Sequence, residues 1–308
     1  MMEASGGVVT PETGVREGEK EREEARAIAR RGPKRNWIQP LLLWLAVIAI
    51  CIFCLFPFYW LINVSLKTGS DLASADLFPP SPTLDNYDSI FKNGDFTSAL
   101  RNSVIVTTIT TILALIVGSF AAYALARLRF PRKFLLLAVI LSISTFPPIA
   151  IAAPIFKLWT EFGLYDTYAG LILPYLTFAL PLAIYILTSF FKEIPKSLEE
   201  AALVDGATYF QAFRKVILPL AAPGLVTAGL LTAFFVWNEF LLAQTLTSSP
   251  KAFTVPVSVA NFTGSQKFEI PLGTISAASV VITVPLVLAV ILFQKRIVAG
   301  MTAGAVKG

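Results

Sequence analysis

Histidine is absent from all 308 residues. Its absence removes the usual general base, the commonest zinc ligand and the side chain that titrates near neutral pH. Charge is scarce as well: 15% of residues are Asp, Glu, Lys or Arg, where soluble domains carry about 25%. There is no G-x-x-x-x-G-K-[ST] phosphate loop and no G-x-G-x-x-G turn. A nucleophile elbow, a metal-ligand cluster and paired carboxylates within an apolar run are missing too. A soluble enzyme and a membrane enzyme are both disfavoured, so any uphill work must draw on a partner or an ion gradient. Only two cysteines occur, Cys51 and Cys54, at i,i+3 inside an apolar run. A metal site needs more ligands than these, and no disulfide framework exists. They read as lipid-facing or packed small residues.

Apolar residues are abundant, at 55% of the chain, and the mean hydropathy is positive. Residues 1–36 differ: they are polar, carry charges of mixed sign, and read as a solvated cytoplasmic tail. The tail is too acidic for a signal-peptide n-region, and the apolar run after it is too long for an h-region. A spanning helix needs about 20 mostly apolar residues to cross about 30 Å of hydrocarbon. Six stretches of residues 37–308 qualify: about 41–63, 102–126, 134–156, 167–191, 223–246 and 270–294. Only the fifth contains a charge, Glu239. The Pro147-Pro148 pair should break or kink the third. With both termini inside, the cytoplasmic segments hold 19 of the 25 Lys and Arg residues. That imbalance places both termini in the cytoplasm by the positive-inside rule. Topology thus accounts for the +5 net charge, and a nucleic-acid reading loses its support.

The inner loop 192–222 is the most informative segment. Ser197 and Glu200 have the spacing of an S-x-x-E capping box, so a helix should begin at Ser197. Gly206 suits the left-handed residue that ends it. Thr208 and Gln211 form a second box, opening a helix that Pro219 stops. Ala201, Ala202 and Val204 give the first helix a small, smooth apolar surface ringed by Glu199, Glu200, Asp205, Arg214 and Lys215. Such a surface suits docking into a cleft of another protein. Amphipathic resting on the bilayer suits it equally on physical grounds, and a DNA-reading helix-turn-helix is a poor third.

Glu200-Ala201-Ala202, Gly206 and Val216-Ile217-Leu218-Pro219 resemble the E-A-A-x3-G-x9-I-x-L-P signature of ABC importer membrane subunits. Val216 stands where that pattern most often has Ile. The tail from Gly300 to Gly308 and the stretch Trp237-Asn238-Glu239-Phe240 are similar to MalG-type carbohydrate permeases. The coupling loop and Asn261–Glu269 are most similar to SugB-like trehalose permeases. The resemblance covers about residues 37–308. It implies an all-α, six-span type I importer permease that moves a di- or oligosaccharide inward by alternating access. It implies a MalF-type second permease, two ATP-hydrolysing subunits holding ATP and magnesium, and an external sugar-binding protein. It implies that Ser197, Glu199, Glu200, Ala201, Ala202, Val204, Asp205 and Gly206 couple to the ATPase. The tail with Gly300, Thr302, Gly304 and Lys307 would extend toward the ATPase interface. Loop 247–269, with Asn261, Thr263, Gly264, Ser265 and Gln266, would enter the binding protein's sugar site as a scoop. An ordinary exposed hairpin explains that loop nearly as well from its residues alone.

A carboxylate within a span should face a partner or a watered cavity. Glu239 therefore reads as a polar wall or outer gate of the path, together with Trp237 and Asn238, or as a structural hydrogen bond to a neighbouring helix or sister subunit. Tyr175 and Tyr185 could serve a sugar site, although aromatics at span ends more often anchor at the interface. The alternative to an ATP-driven permease is a secondary transporter or channel, for which one intramembrane carboxylate is thin support.

Overall fold

The computed structural model describes residues 38–92, 94–262 and 271–305, with side chains over 40–92, 94–262 and 271–294. Every regular element among the described residues is helical. The chain divides into two units, residues 1–57 and 58–308, and helix α1 (Ile38–Ser65) runs from the first into the second. In the first unit α1 is apolar all round, and its large side chains from Leu41 to Phe56 are exposed. Such a helix suits lipid as its solvent. Cys51 and Cys54 are free and exposed there.

The second unit continues with α2 (Asp85–Lys92), α3 (Asp95–Arg127), α4 (Lys133–Ser144), α5 (Pro148–Glu161) and α6 (Tyr168–Glu193). Helix α7 (Lys196–Val204) and the winding α8 (Tyr209–Leu220) fill the loop before α9 (Ala222–Trp237). Then come α10 (Leu241–Leu246), α11 (Val255–Ala260) and α12 (Leu272–Ala305). Four of the described helices are long and apolar enough to cross a membrane, or up to six if each bent pair is one span.

The third stretch breaks where its prolines lie. α4 ends at Ser144, Pro148 opens α5, and the two meet at 81°. Proline lacks an N–H and fits the first turn of a helix, so it starts α5 and cannot continue α4. The fifth stretch departs from the continuous run expected over 223–246. α9 ends at Trp237 after 16 residues. That is about 24 Å of helix, short of the ~30 Å hydrocarbon core. The chain then breaks over 238–240 and resumes in α10.

The core is organised around α3 and α6, which make the most extensive helix contact. Ala114, Gly118 and Ala122 succeed one another at four-residue spacing on the buried face of α3. Ala179 and Ala183 repeat the spacing on α6 and are fully buried. A Cβ on Gly118 would lie 3.3 Å from the Ala183 Cβ. Small residues at this spacing let two membrane helices approach until their backbones pack.

The connection between α1 and α2 is fastened by buried polar groups. Asn86 donates to the carbonyls of Ser65 (2.9 Å) and Lys67 (2.8 Å). Lys67 itself is fully buried, with its ammonium 2.9 Å from the Asp76 carbonyl and 5.3 Å from the Trp60 ring centroid. The segment after α1 is thus a folded cap.

Candidate functional site

Residues 192–222 form two helices joined by a tight turn. α7 begins at Lys196 with Pro195 as its N-cap and carries no side-chain cap hydrogen bond. The expected Ser197–Glu200 box is therefore not made: the helix starts one residue earlier, and both side chains are exposed. The end of α7 agrees with the sequence pattern. Gly206 has φ +87°. The Gly206 amide donates to the Leu203 carbonyl at 3.1 Å and the Ala207 amide to that of Ala202 at 2.9 Å. This pair of bonds is a Schellman closure, which needs the left-handed residue that glycine adopts without a Cβ penalty. Thr208 and Gln211 then form the reciprocal capping box at 2.8 and 3.2 Å. Pro219 lies in the last turn of α8, and the helix axis turns by 75° into α9.

The outward side of α7 carries Glu200, Ala201, Val204 and Asp205, all exposed, with Val204 87% accessible. Ala202 is half-buried. Glu199 departs from the expected ring of exposed charges. Its side chain is 10% accessible and faces the membrane helices. The Tyr123 hydroxyl donates to one carboxylate oxygen, and the Arg127 guanidinium lies 3.2 Å from the other. Arg127, 4% accessible, also donates to the carbonyl of Ile194 at 2.8 Å. Its anchors are therefore α7 and the end of α6. The helical period contains a signal for this turn inward: Glu199 shares its face with Ala202 and Leu203, while Val204 comes after Glu200 at i+4. Next to this cluster Phe213 packs against Phe120, Tyr123 and Phe191 at centroid distances of 5.3, 4.8 and 6.3 Å. Phe213 opens a π-helical turn, Phe213–Ile217, in which the Leu218 amide reaches back five residues to the Phe213 carbonyl.

Glu239 lies in the break between α9 and α10. Its two oxygens accept from the amides of Leu242 (2.8 Å) and Ala243 (3.1 Å). The carboxylate satisfies donors that the start of a helix leaves open. It thus bonds to its own chain, three and four residues ahead. Trp237 is buried, and exposed Asn238 donates its side-chain amide to the Phe234 carbonyl at 2.8 Å. Tyr175 is fully buried, with its hydroxyl in electrostatic reach of Glu239 and no hydrogen bond among the described residues. Tyr185 is exposed. The break brings Glu239 and Tyr175 together, and the rings of Trp237 and Tyr175 are both covered.

The segment 247–262 is not a free hairpin. Asn102, fully buried on α3, donates to the carbonyls of Pro250 (3.1 Å) and Phe253 (3.0 Å) and accepts from Tyr168 at 2.6 Å. Ser103 accepts from the Val255 amide at 2.8 Å. Asp166, at φ +57°, accepts from the amides of Ser248 (2.9 Å) and Ser249 (3.2 Å). These anchors are too far apart along the chain for any short motif to show them. Asn261 is exposed at the end of α11, whereas Thr263, Gly264, Ser265 and Gln266 lie outside the described residues. The C-terminal stretch continues α12 through Gly300, Thr302 and Gly304 to Ala305. Lys307 and the tail 1–36 lie outside the described residues.

The described residues form apolar helices of spanning length and, over 192–222, a two-helix loop whose first helix is closed by glycine. The chain belongs to the family of binding-protein-dependent transport system inner membrane components, whose model matches residues 114–303. It is 54% identical over 256 residues to the trehalose transport system permease protein SugB of Mycobacterium tuberculosis, covering 83% of this chain and 93% of that one. It is 40% identical over 273 residues to the trehalose/maltose transport system permease protein MalG of Thermococcus litoralis, covering 88% and 98%. The fold matches a bacterial ABC transporter involved in the import of the acidic polysaccharide alginate. The TM-score is 0.71 at 22% identity, over 86% of this chain and 98% of that one.

Proposed function

We propose that this chain is one of two membrane subunits of an ATP-driven importer that carries a di- or oligosaccharide of the trehalose or maltose type into the cytoplasm. The sugar class rests on the relatives, which are trehalose and trehalose/maltose permeases. The observation that carries the mechanism is the outward face of α7: exposed Glu200, Ala201, Val204 and Asp205 on a helix closed by Gly206. A short rigid knob with small apolar side chains and an acidic rim fits a groove on an ATP-hydrolysing partner. ATP and magnesium belong to two such partners. Their closure draws two α7-type helices together and opens the opposite side of the membrane. A MalF-type permease supplies the second half of the path, and an external binding protein delivers the sugar. Both termini lie in the cytoplasm, in keeping with the distribution of Lys and Arg.

Residues 247–269 face that binding protein, Asn261 and the segment 263–266 reach toward its sugar, and residues 300–307 extend toward the ATPases. The break at Trp237, Asn238 and Glu239 borders the path, with Glu239 shaping it through the start of α10.

The test is assembly and sugar-stimulated ATP hydrolysis by the complex in proteoliposomes, with trehalose as the first probe. Val204→Arg puts a charge on the centre of the docking face and should abolish co-purification of the ATPase. Retention of the ATPase by that variant would overturn the docking role of α7. Solute movement by this chain without any ATPase would overturn the ATP-driven reading.

A further inference from the structure

Glu199 lies in the first turn of α7 and is turned away from the face that would meet an ATPase. Its carboxylate is held on both oxygens, by the Tyr123 hydroxyl and by Arg127 at 3.2 Å. Tyr123 and Arg127 lie one turn apart at the end of α3, the span that makes the most extensive contact with α6. Arg127 also holds the Ile194 carbonyl at 2.8 Å, at the very end of α6. One guanidinium therefore links the ends of two membrane helices to α7. Both charged side chains are nearly inaccessible to water. In such a site, separating the pair leaves two uncompensated charges, so the three elements part only with difficulty. The ring cluster of Phe213, Phe120, Tyr123 and Phe191 fixes α8 to the same two helices. Meanwhile Val204 and Glu200, on the free side of α7, have no part in this anchoring.

We infer that Tyr123, Glu199 and Arg127 form the joint that carries displacement of α7 into the membrane helices. Glu199 is a positioning residue here, and the contact with the ATPase is left to its neighbours. This rests on the reading of α7 as the ATPase-docking helix. A pull on α7 then reaches α3 through Glu199 and α6 through Ile194, and the small-residue packing of those two helices makes them respond together.

The test uses the whole complex in proteoliposomes, with trehalose as the probe. Glu199→Gln combined with Arg127→Gln removes both charges at once, so no buried ion is left alone. Tyr123→Phe removes a single hydroxyl and serves should the double variant not fold. The expected result is retained ATPase co-purification with sugar moved per ATP lowered by about five-fold. Amide exchange of residues 196–205 should speed up by about ten-fold in the same variants, while the α3–α6 core stays protected. Unchanged sugar per ATP in an assembled double variant would overturn the joint. So would loss of the ATPase from a folded double variant as complete as from Val204→Arg, since Glu199 would then act at the partner surface. Retention of the ATPase by Val204→Arg marks the other failure, that of the docking reading, and is seen before any coupling is measured.

Discussion

Removal of the Glu239 carboxylate leaves the amides of Leu242 and Ala243 without acceptors. An unmet buried donor costs about 1–3 kcal/mol, and more where water is excluded. Glu239→Ala should therefore lower the melting temperature of the detergent-solubilised protein clearly, while Glu239→Gln, which keeps an acceptor oxygen, should lower it little. If Glu239→Gln melts like the parent but moves ten-fold less sugar, the charge itself acts in the path and the capping role is secondary. Gly206 gives a second residue-scale expectation. At φ +87° any β-branched side chain is strained by about 1–2 kcal/mol. Gly206→Val should loosen the α7 turn, read as faster amide exchange over 196–207 with the spans unaffected. Both residues are visible in the sequence, but to different depths. Gly206 shows its role because a left-handed helix end needs glycine whatever surrounds it. Glu239 shows only that a charge within a span must have a partner. The partners are three and four residues ahead on its own chain, and they are free to accept it only because the helix breaks first.

Helix α3 meets α6 through alanine and glycine, so bulk there acts on two spans together. A Cβ at Gly118 is already at 3.3 Å from Ala183. Gly118→Leu must push α3 and α6 apart. Loss of folded protein from membranes, measured as detergent-extractable monodisperse material, is the expected outcome, with Gly118→Ala much milder. Gly224 is tighter still: a Cβ there falls 2.4 Å from the Phe190 ring, so Gly224→Ala demands that the ring move. At this scale the apolar runs locate most of the membrane helices, since long uncharged stretches have few other fates. The double proline foretells the break after α4. The early end of α9 is hidden because hydropathy is averaged over a long window, and the apolar residues on both sides of Asn238-Glu239 mask the break. The capping box at Ser197 illustrates the opposite error. The spacing is present, but Pro195 has already turned the chain into α7, and a cap forms only where the helix begins.

In the whole molecule, α7 and the segment 247–262 belong to opposite faces of the membrane in the proposed topology. A cysteine placed at Asp205 should react with an impermeant maleimide only from the cytoplasmic side, and one at Ser248 only from the outside. Labelling of both from one side would refute six spans with internal termini. Cys51 and Cys54 should be replaced first, because both are exposed along α1. Family and class are legible from the inner loop, because a short helix and its closing turn are local. The links that bind the domain are not. Tyr123 and Glu199 are 76 positions apart, and Asn102 lies 151 from Phe253. No periodicity reports a partner at such distance. It is the packing of α3 on α6 that makes them neighbours.

The π turn at Phe213–Ile217 gives this segment a spare residue that its composition conceals. A π turn is an α-helix with one residue too many, held by a reach of five instead of four. Deleting one residue there would let the helix wind regularly, with nothing lost in hydrophobicity. The wider turn already absorbs the extra residue, so the helix on either side keeps nearly the same phase with it or without it. Phe213 would stay at its ring cluster, and α7 would keep its direction. In this stretch the chain can lose a residue without losing its aim.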